Sequence, residues 1–324
     1  MPRVAETIPL IAASGPRLSP ARKRAPRREP FRIAAVQERW RPDPEEHAQA
    51  LAAGVRRAAD EGAQLVCLQE LTLSRYFGTD PAGPRAAGVE PEELPGGPTY
   101  RFVAGMARDT GAYVHASLYE RADADDGLGF NTAIIVAPDG EIVARTRKLH
   151  IPASAGYHED RYFRPGPGDG DPFPVLALGD ARLGLPTCWD QWFPEVARGY
   201  SLHGADVLVY PTAIGSEPEH PDFDTEPLWE QVIIGNAIAN GVFMVAINRI
   251  GEEPPLRFYG SSFICDPYGR KLVQAPRGEA AVLVAELDLD QRRDWLELFP
   301  FLSSRRPAVY ARLVEDSTDP VEEG

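Results

Sequence analysis

The stretch that decides the fold is RLGLPTCWDQWFPE, residues 182–195, where an apolar strand pattern stops at Cys188 and a helix pattern begins a few residues later. A strand, a turn and a helix in this order are typical of an α/β protein, and such a turn can hold up a side chain for attack. Backbone N–H groups of the turn can face a developing oxyanion. Cys188 is therefore a candidate nucleophile. The alternative, a buried structural cysteine, is our interpretation of Cys67 and Cys265, which lie inside apolar strands.

Strand and helix patterns alternate along the rest of the chain. The predicted strands include FRIAAVQ (31–37), QLVCLQE (64–70), AYVHASL (112–118), ADVLVYP (205–211), VFMVAIN (242–248) and AAVLVAELD (280–288). Turn residues predict one hairpin between FNTAIIVA and EIVARTRKL, and a second between RFYGSSFICD and GRKLVQA. This alternation favours one α/β domain built from two sheets, each covered by helices. The motifs GxGxxG, GxxxxGK[ST] and GxSxG are absent, which removes the simplest nucleotide-binding and serine-hydrolase interpretations.

Two charged residues also stand at the ends of predicted strands. Glu70 ends QLVCLQE, and Lys148 lies near the end of EIVARTRKL. Each alone is typical of a solvated charge. Because the ends of central strands converge on one edge of a sheet, we expect both side chains to lie near Cys188. A carboxylate, an ammonium group and a thiol would supply a base, a cation for an oxyanion and a nucleophile.

The charge of the chain is unevenly distributed. The 324 residues carry a formal net charge of −14, but residues 1–30 hold seven basic and two acidic side chains, a net of +5, which leaves −19 for the rest. A body this acidic repels phosphate backbones, so general nucleic-acid binding is excluded. The Pro- and Arg-rich segment 1–30 predicts a disordered basic extension without a secretory signal. Residues 313–324 are interpreted as an acidic C-terminal tail.

Cysteine and histidine usage indicates the compartment and the cofactors. Three widely spaced cysteines do not form a disulfide framework, and the six histidines offer no HxxEH or HExxH zinc pair. No segment approaches the ~18 uninterrupted apolar residues of a membrane span, so we expect no membrane association. These observations predict a cytoplasmic protein without a metal site.

Four ordered motifs resemble those of the nitrilase (carbon–nitrogen hydrolase) superfamily. They are LQE at 68–70, RKLHIP at 147–152, YHEDRYFRPG at 157–166 and CWDQWFPE at 188–195. The resemblance covers residues 31–312, which are therefore interpreted as one carbon–nitrogen hydrolase domain. YPTAIGSEP (210–218) and NRIG (248–251) are similar to the N-carbamoylputrescine amidase branch of that superfamily.

The resemblance implies a fold and a set of roles. The fold is a four-layer α-β-β-α sandwich whose subunits pair into a homodimer or larger assembly. Glu70 is the implied general base, Lys148 the oxyanion stabiliser and Cys188 the nucleophile, without a cofactor. Further candidates for supporting or substrate-binding roles are Glu159, Trp189, Asp190, Tyr76 and Thr212, with the backbone N–H of Trp189 completing the oxyanion pocket.

The chain departs from the family pattern beside the nucleophile and after the catalytic glutamate. Pro186 and Thr187 stand where apolar β-branched residues are usual, and Gly78 follows a Tyr-Phe pair where close relatives tend to carry cysteine. Both departures concern the substrate more than the mechanism.

The segment after YPTAIGS suggests the substrate. Five acidic residues and no Lys or Arg lie between 211 and 226, so a cationic substrate such as N-carbamoylputrescine fits electrostatically. A solvated acidic loop is the alternative. A substrate with a carboxylate, such as N-carbamoyl-β-alanine, would need an arginine, for which Arg249 and Arg257 are candidates. An aliphatic amidase, a nitrilase and a non-catalytic scaffold of the same fold also stay open, although Asp190 stands where nitrilases usually carry Glu.

Overall fold

The structure is a computed structural model that describes residues 8–168 and 170–315. Its strands are β1 (Leu10–Ala12), β2 (Phe31–Gln37), β3 (Leu65–Cys67), β4 (Tyr113–Glu120), β5 (Phe130–Val136), β6 (Ile142–Arg147), β7 (Leu176–Leu178), β8 (Ala181–Gly184), β9 (Val207–Pro211), β10 (Phe243–Ile247), β11 (Ile250–Glu253), β12 (Leu256–Tyr259), β13 (Phe263–Cys265), β14 (Lys271–Gln274) and β15 (Ala281–Leu287). The α-helices are α1 (Pro44–Asp60), α2 (Pro98–Thr110), α3 (Pro194–Leu202), α4 (Glu226–Asn240) and α5 (Asp290–Leu298).

Two mixed sheets contain most of the strands. The first has the order β1-β15-β2-β3-β4-β5-β6, and the second has the order β14-β13-β10-β9-β8-β7. Strands β2, β3 and β4 are mutually parallel, as are β8, β9 and β10. Parallel neighbours need a crossover connection, and α1 and α3 supply two of these. The carboxyl ends of the central strands therefore lie at one edge of each sheet.

The alternation of side chains along each strand builds four layers. In β2, Ile33 and Ala35 face the second sheet, whereas Ala34 and Val36 pack with residues of α1 and α2. The outer face of the second sheet packs in the same way against α3 and α4, with Trp229 fully buried. This arrangement confirms the predicted four-layer α-β-β-α sandwich.

The N-terminal segment differs from the disordered extension that its composition predicts. Residues 8–30 pack on the body: β1 lies parallel to β15, and Arg22 forms ion pairs with Asp288 at 2.6 Å and Asp294 at 2.8 Å. Arg28 reaches Asp206 at 2.8 Å. The basic side chains that resemble a solvated tail in the sequence therefore have acidic partners far along the chain. Residues 1–7 lie outside the described residues.

The C-terminal end is described only in part. A short 3₁₀ turn covers Ala311–Val314, and most of the predicted acidic tail, from 316 onward, lies outside the described residues. Within the part of the chain that is described, no helix has the length and apolar character needed to cross a bilayer.

Candidate active site

Three residues of the candidate site lie in segments that directly follow strands. Glu70 follows β3, Lys148 follows β6, and Cys188 follows β8 of the opposite sheet. Lys148 Nζ lies 3.1 Å from Glu70 Oε1 and 2.7 Å from Glu159 Oε2. All these side chains are buried, so their charges interact with little screening by water. The structure therefore brings the three residues predicted from strand ends, and Glu159, into one cluster.

The cluster contains two carboxylates and one ammonium group. Burial is the largest effect on Lys148 and opposes its charge, but the negative charges of Glu159 and Glu70 outweigh it and raise the pKa of Lys148. Burial and the charge of Glu70 raise the pKa of Glu159, against the attraction of Lys148. Lys148 is therefore held as a permanent cation.

Cys188 has a backbone conformation that is unusual for a residue with a side chain. Its φ is 40°, in the left-handed region, and it begins the short 3₁₀ helix Cys188–Trp192 that leads into α3. Such a conformation costs energy and persists only where its surroundings hold it. Burial first, and then the charge of Glu70, raise the pKa of the Cys188 thiol, which Lys148 opposes. A neutral resting thiol therefore needs a base to become a nucleophile.

Asp190 holds the turn around Cys188 against the segment of Lys148. Its Oδ2 accepts from the backbone N–H groups of Thr187 (3.1 Å) and Leu149 (3.3 Å). Its Oδ1 accepts from the N–H of His150 at 2.9 Å and lies 2.8 Å from the ring Nδ1 of the same residue. The structure thus places Asp190 in a supporting position.

The remaining predicted residues divide into two groups. Tyr76 donates to Glu159 Oε1 at 2.7 Å, and both residues line the cavity at Cys188 together with Trp189. Thr212 does not line this cavity: its hydroxyl donates to the carbonyl of Ile247 at 2.9 Å. Its neighbour Ala213 lines the cavity instead.

Sequence reasoning missed Asn131, which lies in the middle of the site. Its side-chain amide donates to Glu70 Oε1 at 2.7 Å, and its backbone carbonyl accepts from the backbone N–H of Lys148 at 2.8 Å. A polar residue next to Phe130 at the start of an apolar strand was the only signal in the sequence. Asn131 fixes one oxygen of Glu70, while Glu70 Oε2 is buried without a hydrogen-bond partner among the described residues.

The cavity at Cys188 is small and carries negative charge. Its volume is about 30 Å³, enough for about one water molecule, so the lining side chains must move apart for a substrate to enter. It is lined by Tyr76, Pro152, Tyr157, Glu159, Cys188, Trp189, Trp192, Ala213, Ile214 and Glu217. Of the five acidic residues of the segment 211–226 considered for binding a cationic substrate, only Glu217 lines the cavity. Its carboxylate accepts from the hydroxyls of Tyr157 at 3.3 Å and Thr225 at 3.1 Å.

Neither candidate arginine lines the cavity. Arg249 is fully buried and donates to the backbone carbonyl of Glu70 at 2.6 Å. The side chain of Arg257 is 76% exposed and pairs with Glu252 on the surface. Among the described residues, no group of three or more His, Cys, Asp and Glu side chains is arranged to hold a metal ion. The absence of a cofactor stays a prediction.

A four-layer sandwich with a buried cysteine, lysine and glutamate pair at its strand ends defines a nitrilase-type protein. The chain belongs to the carbon–nitrogen hydrolase family, whose model matches residues 32–297. It is therefore a hydrolase of carbon–nitrogen bonds other than peptide bonds.

Relatives and solved structures agree with this assignment. The chain is 38% identical over 283 residues to an N-carbamoylputrescine amidase from Solanum lycopersicum. The aligned region covers 82% of this chain and 89% of that protein. It is 34% identical over 291 residues to a citrullinase from Francisella tularensis, with 88% and 98% covered. A crystal structure of a carbon–nitrogen hydrolase from Helicobacter pylori G27 matches with a TM-score of 0.77 and 31% identity, over 89% of this chain and 99% of that one.

Proposed function

We propose that the protein hydrolyses a linear N-carbamoyl amine with a cationic tail, N-carbamoylputrescine in the first place, through an acyl-enzyme on Cys188. The observation that carries the substrate assignment is Glu217, the acidic residue that lines the cavity at Cys188 besides Glu159. Glu159 is paired with the Lys148 cation, whereas Glu217 accepts from the neutral hydroxyls of Tyr157 and Thr225, so the charge of Glu217 is the one available to a substrate ammonium group.

The first half of the reaction is acylation. Glu70 takes the thiol proton through Oε2, the oxygen without a protein partner, and the Cys188 thiolate attacks the carbamoyl carbon. Lys148 and the backbone N–H of Trp189 stabilise the negative charge that develops on the carbonyl oxygen. The carbon–nitrogen bond to the terminal NH₂ then breaks, and Glu70 returns its proton to the departing ammonia.

The second half of the reaction is hydrolysis of the thioester. Glu70 removes a proton from water, the hydroxide adds to the acyl carbon, and the proton is returned to the Cys188 sulfur as it leaves. The product is an N-substituted carbamic acid, which loses CO2 to release the amine. Ammonia, CO2 and putrescine together account for all atoms of N-carbamoylputrescine and one water.

Two further observations support a cationic tail over a carboxylate. Arg249 is occupied by backbone carbonyls, and Arg257 lies on the surface, so neither is placed to bind the carboxylate of N-carbamoyl-β-alanine. Relatives are named N-carbamoylputrescine amidase and citrullinase, and both named substrates carry a cationic amine besides the terminal carbamoyl group. L-Citrulline adds a carboxylate to the cationic amine and is the second substrate to be tested.

The test is ammonia release from five compounds measured side by side. These are N-carbamoylputrescine, L-citrulline, N-carbamoyl-β-alanine, a simple aliphatic amide and a nitrile. We expect kcat/KM to be highest for N-carbamoylputrescine and turnover to be lost in Cys188→Ala. Preference for N-carbamoyl-β-alanine would overturn the substrate assignment, and inactivity on all five would favour a non-catalytic scaffold.

We also propose that the chain self-associates. Large apolar side chains are exposed near the C-terminal end, including Leu298, Phe299, Val309 and Leu313. We expect these side chains to form one apolar patch, which is typical of a protein–protein contact. Light scattering should give a mass of at least twice 35.5 kDa, and a monomer at micromolar concentration would contradict this proposal.

A further inference from the structure

Arg249 is a fully buried arginine whose guanidinium group contacts the segment of the catalytic glutamate. It stands immediately before β11, and its Nη2 donates to the carbonyls of Glu70 at 2.6 Å and Leu71 at 3.2 Å. Its Nη1 donates to the carbonyl of Ser74 at 3.3 Å and to Glu253 Oε1 at 2.8 Å. A buried cation requires such a set of partners, because removing it from water is costly.

The segment that Arg249 contacts is conformationally strained. Leu71, directly after Glu70, has a φ of 48°, in the left-handed region that a residue with a branched side chain rarely adopts. The Ser117 hydroxyl oxygen accepts from the backbone N–H of Leu71 at 3.1 Å. The Arg249 guanidinium donates to the backbone carbonyls of Glu70 and of Leu71 itself. These bonds hold the turn that aims the Glu70 carboxylate toward Lys148.

Glu253, the carboxylate paired with Arg249, is linked to Glu159 through Tyr76. Glu253 Oε2 accepts from the backbone N–H of Tyr76 at 2.7 Å, and the Tyr76 hydroxyl donates to Glu159 Oε1 at 2.7 Å. The ion pair between Arg249 and Glu253 is thus bonded to the backbone of Glu70 on one side and to the residue that binds Glu159 on the other.

We propose that Arg249 and Glu253 form a positioning pair that holds Glu70 in place for proton transfer to and from Cys188. The proposal rests on the proposed function, in which Glu70 is the general base. Neither residue lines the cavity at Cys188. Their effect is transmitted through the backbone of Glu70 and Tyr76, so their loss should lower kcat more than it raises KM.

The test compares Arg249→Lys and Glu253→Gln with a matched surface control. Lysine keeps the charge but cannot reach two carbonyls and a carboxylate at once, and Glu253→Gln leaves the arginine in place should Arg249→Lys fail to fold. Arg56→Lys alters an exposed ion pair with Asp109 and serves as the control. We expect a 10–100-fold loss of kcat on the best substrate in either site variant, with KM changed less than about threefold.

A second readout does not depend on the substrate. The rate of alkylation of Cys188 by iodoacetamide, located by peptide mass, reports removal of the thiol proton by Glu70 as a function of pH. Both site variants should react about tenfold more slowly at pH 7 while keeping a cooperative thermal transition, and the control should match the wild type. If the wild type turns over none of the five compounds, the proposed function fails, and the alkylation profile still decides the role of the pair.

Unchanged kcat and alkylation in folded Glu253→Gln and Arg249→Lys would overturn the proposal. A lower melting temperature with unchanged kcat would overturn it equally, because the pair would then serve stability alone.

Discussion

At the scale of single residues, the charge balance of the buried cluster explains how one glutamate can serve as a base. One lysine faces two carboxylates, so these three buried side chains carry a net negative charge when all of them are ionised. Burial and the charge of Glu70 raise the pKa of Glu159, and a proton that moves from Cys188 to Glu70 leaves the total charge unchanged while the charge of Lys148 stabilises the thiolate. This charge balance supports the proposed role of Glu70, which is to accept the thiol proton during acylation and to release it to ammonia.

Glu217 gives the first residue-scale prediction. Glu217→Gln keeps the shape of the side chain and removes its charge, so kcat/KM for N-carbamoylputrescine should fall by about 10–100-fold, the range of one charged hydrogen bond. The value for an uncharged aliphatic amide should change little. Glu219→Gln is the matched control, because Glu219 lies exposed in the same segment and does not line the cavity. An equal loss in both variants would contradict a specific role of Glu217.

The sequence identified the charged residues of the cluster and some of the residues that support them, such as Asp190 and Tyr76, but it did not identify Asn131 or the supporting role of Arg249. Glu70, Lys148 and Cys188 could be found because each follows a strand, and the ends of strands meet in such a fold. Asn131 and Arg249 could not be found in this way, since nothing local shows that a polar residue in a strand will face a carboxylate 61 positions away. Arg249 was instead considered for binding a substrate carboxylate.

At the scale of elements, Asp190 joins the turn after β8 to the segment after β6. Asparagine would present an N–H₂ group to two of the backbone N–H donors that Asp190 now accepts from, so Asp190→Asn should destabilise the fold by about 1–3 kcal/mol. Because Cys188 and Lys148 lie on these two segments, kcat should also fall about tenfold or more. Urea unfolding and steady-state rates measure the two effects. The surface variant Asp109→Asn should change neither, and wild-type behaviour of Asp190→Asn would refute the joining role.

His47 connects α1 to the turn after Glu70 and makes stability depend on pH. Burial lowers the pKa of His47 to about 4, against the hydrogen bond between its ring Nε2 and the carbonyl of Thr72 at 3.0 Å. The unfolded chain takes up this proton near pH 6.5 while the folded protein does not. The contribution to stability is therefore complete above about pH 6.5 and is lost progressively, by about 3 kcal/mol, as the pH falls to about 4.

His47→Gln tests this dependence, because glutamine can still donate to Thr72 and does not titrate. The free energy of unfolding in urea, measured at pH 7 and pH 4.5, should fall less with acid in this variant than in the wild type. A residual dependence will remain, since burial also lowers the pKa of His115, to about 3. The exposed His220→Gln should leave the wild-type dependence intact, and an identical acid loss in His47→Gln would show that His47 does not contribute.

Local turn chemistry predicted some element pairs and missed others. The hairpin of β5 and β6 forms around residues 138–140 as expected, and β13 pairs with β14. The pattern RFYGSSFICD, however, contains two strands, because Gly260 and Ser261 both have positive φ and break it. Its first half, β12, pairs with β11 in a separate ribbon, a partner that only the folded chain reveals.

At the scale of the whole molecule, the uneven charge of the chain is part of its tertiary structure. The basic segment 8–30 pairs with acidic side chains in and just before α5 and with Asp206 just before β9, so the +5 and −19 portions of the sequence partly neutralise each other. Ion pairs between residues 178 to 273 positions apart leave no local pattern, which is why the segment looks disordered in the sequence.

Arg28 is the residue of this segment whose loss should matter most. It pairs with Asp206 at 2.8 Å, lies 3.4 Å from Asp290, and donates to the carbonyl of Leu289. Arg28→Gln would leave the buried Asp206 with Arg292 at 3.8 Å, so the free energy of unfolding should fall by about 1–3 kcal/mol. Arg24→Gln removes only an exposed pair with Glu297 and should leave the free energy of unfolding nearly unchanged. Urea unfolding at pH 7 compares the two. Equal stabilities would mean that the ion pairs of Arg28 do not stabilise the fold.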